Sequence, residues 1–260
     1  MPMIDADGCL LNVTVEGRDG GPTLMLSNSL GCTLQMWEPQ MRALTQVFRV
    51  IRYDRRGHGK SGVPPGPYSV ERFGRDVLAI LDDLNIEKVH WCGLSMGGMV
   101  GQWLGAHAPE RLGKIVLSNT TCYYPDTAIW DARIKAVKDG GLASVADTVI
   151  GGWLTQDFRD RQPDIAGAMK AMLMTTPVEG YLASCEALSR LDLRNDLPAI
   201  KSPTLVIAGR YDKSTPIAMA EAIRSRIPGA SMTILDAAHI SNVEAALAFN
   251  DAVLGFLTQR

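Results

Sequence analysis

The chain is poor in the residues that crosslink or bind metals. It has four histidines, none paired as H-x-x-x-H, and five cysteines (Cys9, Cys32, Cys92, Cys122 and Cys185) that are never spaced C-x-x-C. That pattern argues against a disulfide framework, a structural zinc site and a metal hydrolase, and places the chain in the reducing cytoplasm. Charge of one sign is also lacking. Twenty-six Lys and Arg stand against 28 Asp and Glu, a net −2, so no basic field exists to draw nucleic acid or an anionic membrane. No apolar run approaches the roughly 20 residues of a bilayer span. The opening MPMIDADGCL carries acids and has neither the basic nor the apolar region of a secretory signal.

What is present is an ordinary globular composition. Over 260 residues, 46% are hydrophobic and 21% charged, enough to bury the core of one large α/β domain or two small ones. Short Val-, Ile- and Leu-rich runs at 10–15, 23–26, 48–53, 89–92, 115–117, 204–208 and 232–235 predict strands, most of them without the alternation of a half-exposed sheet. Helical spacing predicts helices at 70–84, 96–108, 216–226 and 241–257. In the first of these Phe73, Val77, Ile80, Leu81 and Leu84 recur on one face, and Pro216 fits the first turn of the third. Strand and helix in alternation imply right-handed crossovers and a mainly parallel sheet. Between about 121 and 197 the alternation fails. That segment reads as helices broken at Gly140-Gly141, Gly151-Gly152, Pro163 and Pro177. It is expected to form a helical cap (121–197) over the carboxyl edge of a core made of 1–120 and 198–260.

Residues 93–98, GLSMGG, put a serine between glycines where a strand run ends and a helical one begins. A G-x-S-x-G pentapeptide alone is weak, but strand–turn–helix is the context in which its serine becomes an exposed nucleophile. Gly97, Gly101 and Gly105 recur every four residues, a stripe that suits a helix packed backbone-close on strands. The serine needs a base. Only His107 and His239 follow it, and His107 lies twelve residues along the same helix, about 18 Å away. His239 stands just past the last strand, at the sheet edge expected for Ser95. An acid must fix the imidazole. Asp212 occupies a strand's end in the right chain order, with Asp236 and Asp126 as rivals. Two backbone N–H groups must receive the oxyanion: Met96, after the nucleophile, and Leu30, in the turn SNSLG after the second of the predicted strands.

These residues, with RYDRRGHGKS at 52–61, resemble the α/β-hydrolase fold along essentially the whole chain. SNSLGCTLQMWEPQ, HWCGLSMGGMVGQWLGAHAPERL, DAAHISNVE and WDARIKAVKDGG are similar to the 3-oxoadipate enol-lactonases, with Asn28-Ser29 where the superfamily more often has His-Gly. The resemblance implies a serine hydrolase of aromatic catabolism (the β-ketoadipate pathway). Such an enzyme opens an enol-lactone to 3-oxoadipate with Ser95, Asp212 and His239 and without metal or organic cofactor. The substrate's free carboxylate calls for a cation. Arg133 is the candidate, against the alternative of a solvated helix arginine. Trp130 and Trp153 either line the apolar part of the pocket or are buried core. His58 reads as a turn residue, His90 as a packed strand residue, and Arg55 and Arg56 as a solvated or loop-bracing pair. A carboxylesterase, a cofactor-free haloperoxidase-like enzyme, a carbon–carbon bond hydrolase and a ligand-binding receptor on the same scaffold stay open, as does a homo-oligomer.

Overall fold

The computed structural model describes residues 3–259. Eight strands, β1 (Met3–Asp5), β2 (Leu10–Gly17), β3 (Thr23–Ser27), β4 (Arg49–Tyr53), β5 (Val89–Leu94), β6 (Leu112–Ser118), β7 (Thr204–Gly209) and β8 (Ser231–Leu235), form one sheet in the order β1-β2-β4-β3-β5-β6-β7-β8. Only β1–β2 and β2–β4 pair antiparallel; the remaining five pairings are parallel. The central β5 and β7 are buried almost throughout, as crossovers covering both faces require, and this is why their sequences do not alternate.

Helices α1 (Glu38–Leu44), α2 (Val70–Asp83), α3 (Met96–His107), α9 (Ile217–Arg224), α10 (Ser241–Glu244) and α11 (Ala246–Thr258) belong to the layers around the sheet. Ser69 caps α2 by accepting from the Arg72 N–H at 3.0 Å, and the predicted stripe Phe73, Val77, Ile80 and Leu81 is buried. The glycine stripe of α3 has the purpose its spacing suggested. A Cβ on Gly97 would lie 2.1 Å from the Ser27 carbonyl oxygen, and one on Gly101 would lie 2.3 Å from Trp91 Nε1. Helix and sheet meet at backbone distance, which sets the sharp turn at Ser95.

Between β6 and β7 lie five helices, α4 (Ala128–Gly140), α5 (Ala146–Trp153), α6 (Gln156–Arg161), α7 (Pro163–Met174) and α8 (Val178–Ser189). They are tied to the segment after β8 at two points. The Ile240 N–H donates to the Trp153 carbonyl at 2.9 Å. The Glu244 carboxylate accepts from the Ala238 N–H at 2.8 Å and also from the Thr155 hydroxyl.

Several expectations need correction. Pro216 precedes α9 rather than opening its first turn. The stretch 241–257 is two helices, because Ala245 leaves helical geometry at φ −120, ψ 47. Of the two readings of Arg55 and Arg56, the solvated one fails and the loop-bracing one stands: both are buried, at 1% and 6% exposure, and donate to the Asn28 and Ala6 carbonyls. Arg56 grips Asp76 with two nitrogens at 2.5 and 2.6 Å, which compensates its charge.

Candidate active site

Ser95 is the residue between β5 and α3, and its backbone sits at φ 55, ψ −115. A non-glycine residue with positive φ is strained by about 1–3 kcal/mol and persists only where its neighbours hold it. Here the Ser95 N–H donates to the Ser118 carbonyl at 2.8 Å, and its carbonyl accepts from the Thr120 hydroxyl at 2.7 Å. The sharp turn puts the hydroxyl on the rim of a cavity of about 290 Å³ at the carboxyl ends of the parallel strands. His239, four residues past β8, lines the same cavity.

Asp212, three residues past β7, bonds His239 Nδ1 through Oδ2 at 2.8 Å. The carboxylate is fully engaged. Its Oδ1 accepts from the N–H groups of Ser214 (2.8 Å) and Thr215 (2.9 Å), and Oδ2 also accepts from the Thr215 hydroxyl (2.7 Å) and Asn119 Nδ2 (3.1 Å). Burial alone would raise this carboxyl. The His239 charge opposes it, and with the hydrogen bonds from His239 and Thr215 it holds Asp212 below the usual carboxylate range. An anion at Nδ1 keeps a proton there and leaves Nε2 its lone pair. Asp236 instead pairs with Arg210 on the surface at 2.5 Å, and Asp126 accepts from the Ala128 N–H at the start of α4, so neither rival serves the imidazole.

Leu30 lines the cavity three residues past β3. Among the described residues, the N–H groups of Leu30 and Met96 donate to no acceptor, whereas the Gly97 N–H is taken by the Asn28 carbonyl at 3.0 Å. The Asn28 side chain is itself committed, accepting from Trp37 Nε1 at 2.9 Å and donating to the Tyr53 carbonyl at 2.9 Å. In place of the commoner His-Gly it secures the turn by its side chain. A hydroxyl on a strained turn, an imidazole with a free lone pair and two unpaired amides make up the parts needed for acyl transfer.

Much of the remaining wall comes from the inserted helices. Trp130, Arg133 and Trp153 all face the cavity, the two indoles being also nine-tenths buried. Pocket wall and core are therefore the same residues here. Arg133 is half-buried, lies over the Trp130 ring at 5.3 Å, and has no carboxylate partner among the described residues. Trp130 Nε1 is buried without an acceptor. Sequence reasoning missed Tyr124, Tyr181 and Lys213 in the wall, and missed Thr215 and Asn119 beside the acid. The signal for Thr215 was present: Asp212-Lys-Ser-Thr-Pro is an Asx-turn pattern that organises its own carboxylate. Of the other histidines, His90 accepts from the Lys114 N–H at 3.0 Å, and His107 stacks on Trp103 at 4.9 Å on the surface.

Known proteins agree with this architecture. The family model for the α/β hydrolase fold matches residues 22–246. A 3-oxoadipate enol-lactonase 2 from Acinetobacter baylyi is 40% identical over 96% of this chain and 94% of its own length. A putative carbamate hydrolase RutD from Stutzerimonas stutzeri is 31% identical over 92% of each chain. The crystal structure of the enol-lactonase from Burkholderia xenovorans LB400 superimposes with a TM-score of 0.97 at 40% identity, covering 99% of this chain and all of the other. This chain belongs to the α/β-hydrolase family and is a hydrolase.

Proposed function

We propose that the protein is a serine hydrolase that opens 3-oxoadipate enol-lactone with water to give 3-oxoadipate, a step of aromatic catabolism. Ser95 Oγ attacks the lactone carbonyl carbon while His239 Nε2 takes its proton. The oxyanion is received by the N–H groups of Leu30 and Met96. The intermediate collapses by expelling an enolate, a far better leaving group than an alkoxide, which takes its proton from the imidazolium and tautomerises to the ketone. Water, deprotonated by His239, then attacks the acyl carbon and releases the carboxylate from Ser95. Asp212 holds the imidazole and offsets its charge throughout. Helices α4–α8 act as the cap, and Arg133 binds the substrate's free carboxylate through its guanidinium.

The observation that carries this reading is the pairing of His239 with Asp212 at 2.8 Å, on the rim of the cavity that the strained Ser95 also lines. The lactone assignment rests in addition on the relatives at 40% identity and on the unpaired Arg133 in the wall. The relative named a putative carbamate hydrolase marks the nearest alternative, since the same machinery can act on a carbamate. The test is to assay purified protein on the enol-lactone, on a carbamate and on neutral nitrophenyl esters. Preference for the lactone by about a hundredfold in kcat/KM supports the proposal (about 2.7 kcal/mol of selective transition-state binding). Equal rates on the lactone and the neutral esters, or preference for the carbamate, overturn it.

A further inference from the structure

The turn that carries Leu30 is gripped from beneath at both ends by two side chains of RYDRRGHG. Arg55 Nη2 donates to the Asn28 carbonyl, and the Gly31 N–H donates to His58 Nε2 at 3.0 Å. Both gripping residues are buried, Arg55 at 1% exposure and His58 at 0%. Of the amides of residues 29–32, Ser29 donates to Met36 Sδ (3.3 Å), Gly31 to His58 and Cys32 to the Ser29 carbonyl (3.3 Å). Only the Leu30 N–H is left over.

We propose that Arg55 and His58 are positioning residues that pin the two ends of the 28–31 turn, so that its single uncommitted amide, Leu30 N–H, faces the reacting carbonyl. The inference rests on the reading of Ser95 as nucleophile and Leu30 as oxyanion donor. An imidazole can accept from an amide only when it is neutral and its proton is on the other nitrogen. His58 meets both conditions. Its Nδ1 lies 3.3 Å from the Arg56 carbonyl, which fixes the proton there. Burial, reinforced by the neighbouring Arg55 charge, pushes the imidazole down to about 3, against a smaller upward pull from the Arg56 carbonyl.

Arg55 has a role of its own. It has no carboxylate partner among the described residues, its Nε and Nη1 are unpaired, and its guanidinium lies over the Phe73 ring at 5.7 Å. A buried charge without a counterion is costly. In this position it polarises the Asn28 carbonyl and adds to the burial that keeps His58 neutral. The two residues therefore act together: one holds a carbonyl, the other an amide, and the charge of the first reinforces the neutral state that burial gives the second.

The test compares H58L, which fills the space without an acceptor, with H58Q, which returns an acceptor to the same region. Steady-state kinetics are read on a nitrophenyl ester, and inhibition by phenylboronic acid reports the tetrahedral adduct. In H58L, kcat should fall about ten- to hundredfold, a part of what losing an oxyanion donor costs, with KM within about threefold and boronate affinity weakened in step. H58Q should recover most of that loss. An H58L kcat within about threefold of wild type, a loss confined to KM, or an H58Q no better than H58L overturns the inference. If H58L does not fold, the wild-type chain decides by NMR. A scalar coupling across the Gly31 N–H to His58 Nε2 bond, with neutral His58 protonated at Nδ1, supports the proposal, and absence of that coupling overturns it. Ser95→Ala run alongside separates the two levels. Activity surviving in S95A refutes the nucleophile and this inference with it, whereas a dead S95A beside an unimpaired H58L refutes the inference alone.

Discussion

Asp212→Asn is the most informative single change, because the surroundings dictate which way the new amide must face. Two backbone N–H groups, those of Ser214 and Thr215, converge on Oδ1 at 2.8 and 2.9 Å. The amide oxygen stays there because both donors are fixed backbone groups, whereas of the three groups at Oδ2 the Thr215 hydroxyl can turn to accept and His239 can move its proton, leaving Asn119 Nδ2 opposed. The NH₂ therefore takes the place of Oδ2, 2.8 Å from His239 Nδ1. It donates where the carboxylate accepted, which drives the imidazole proton to Nε2 and leaves no lone pair to deprotonate Ser95. The replacement is nearly isosteric, so the fold and KM should change little. A wrong-tautomer base costs about 10⁴-fold in kcat in other serine triads, or about 5.4 kcal/mol in the barrier. The assay is kcat on the lactone or a nitrophenyl ester, together with ¹⁵N NMR of His239, which should report Nδ1–H in wild type and Nε2–H in D212N. A D212N enzyme within about tenfold of wild type, or an unchanged tautomer, would refute the reasoning.

Other expectations follow from the same geometry. Because folding holds the Asp212 carboxyl below its unfolded value, its stabilising contribution is complete above the usual carboxylate range and fades as pH falls through the lowered value. The stability gap between wild type and D212N, read by urea denaturation, should therefore be constant from about pH 6 to 8 and narrow below about pH 4. R133A should raise KM for the carboxylate-bearing lactone about a hundredfold and leave a neutral ester unchanged, whereas equal losses on both would remove Arg133 from the binding site. G97A forces a Cβ to within 2.1 Å of the Ser27 carbonyl oxygen and should destabilise the chain by about 3 kcal/mol or more in urea. G255A is its control: the position is exposed on α11 with open space around it, and alanine there should stabilise by up to about 1 kcal/mol.

Residues on or just after strands were legible because local pattern and chain order constrain them. Ser95, Asp212 and His239 each follow a strand whose apolar run marks its end, so their common edge could be deduced before any geometry was known. The helical stripe of α2 and the glycine stripe of α3 were legible for the same reason. Elements without periodicity were not. Strand β1 is three residues long, and the break at Ala245 has neither proline nor glycine to announce it. The sequence left Arg55 open between solvated and loop-bracing because burying an unpaired arginine breaks the usual rule, and the exception depends on a turn 27 residues away in the chain. Tyr124, Tyr181 and Lys213 enter the cavity wall through the packing of α4–α8 and the loop after β7, a long-range arrangement that no window of sequence encodes.

The bonds from Ile240 to Trp153, and from Glu244 to both Ala238 and Thr155, bracket the imidazole on either side along the chain. His239 and helices α5 and α6 are thus tied together at that corner. On the proposed reading of His239 as the base, an outward swing of α5 and α6 would either break those links or pull the imidazole from Ser95, so an open form would not turn over. On that reading, substrate would enter from the opposite flank, away from the bonds that join residues 238–244 to Trp153 and Thr155.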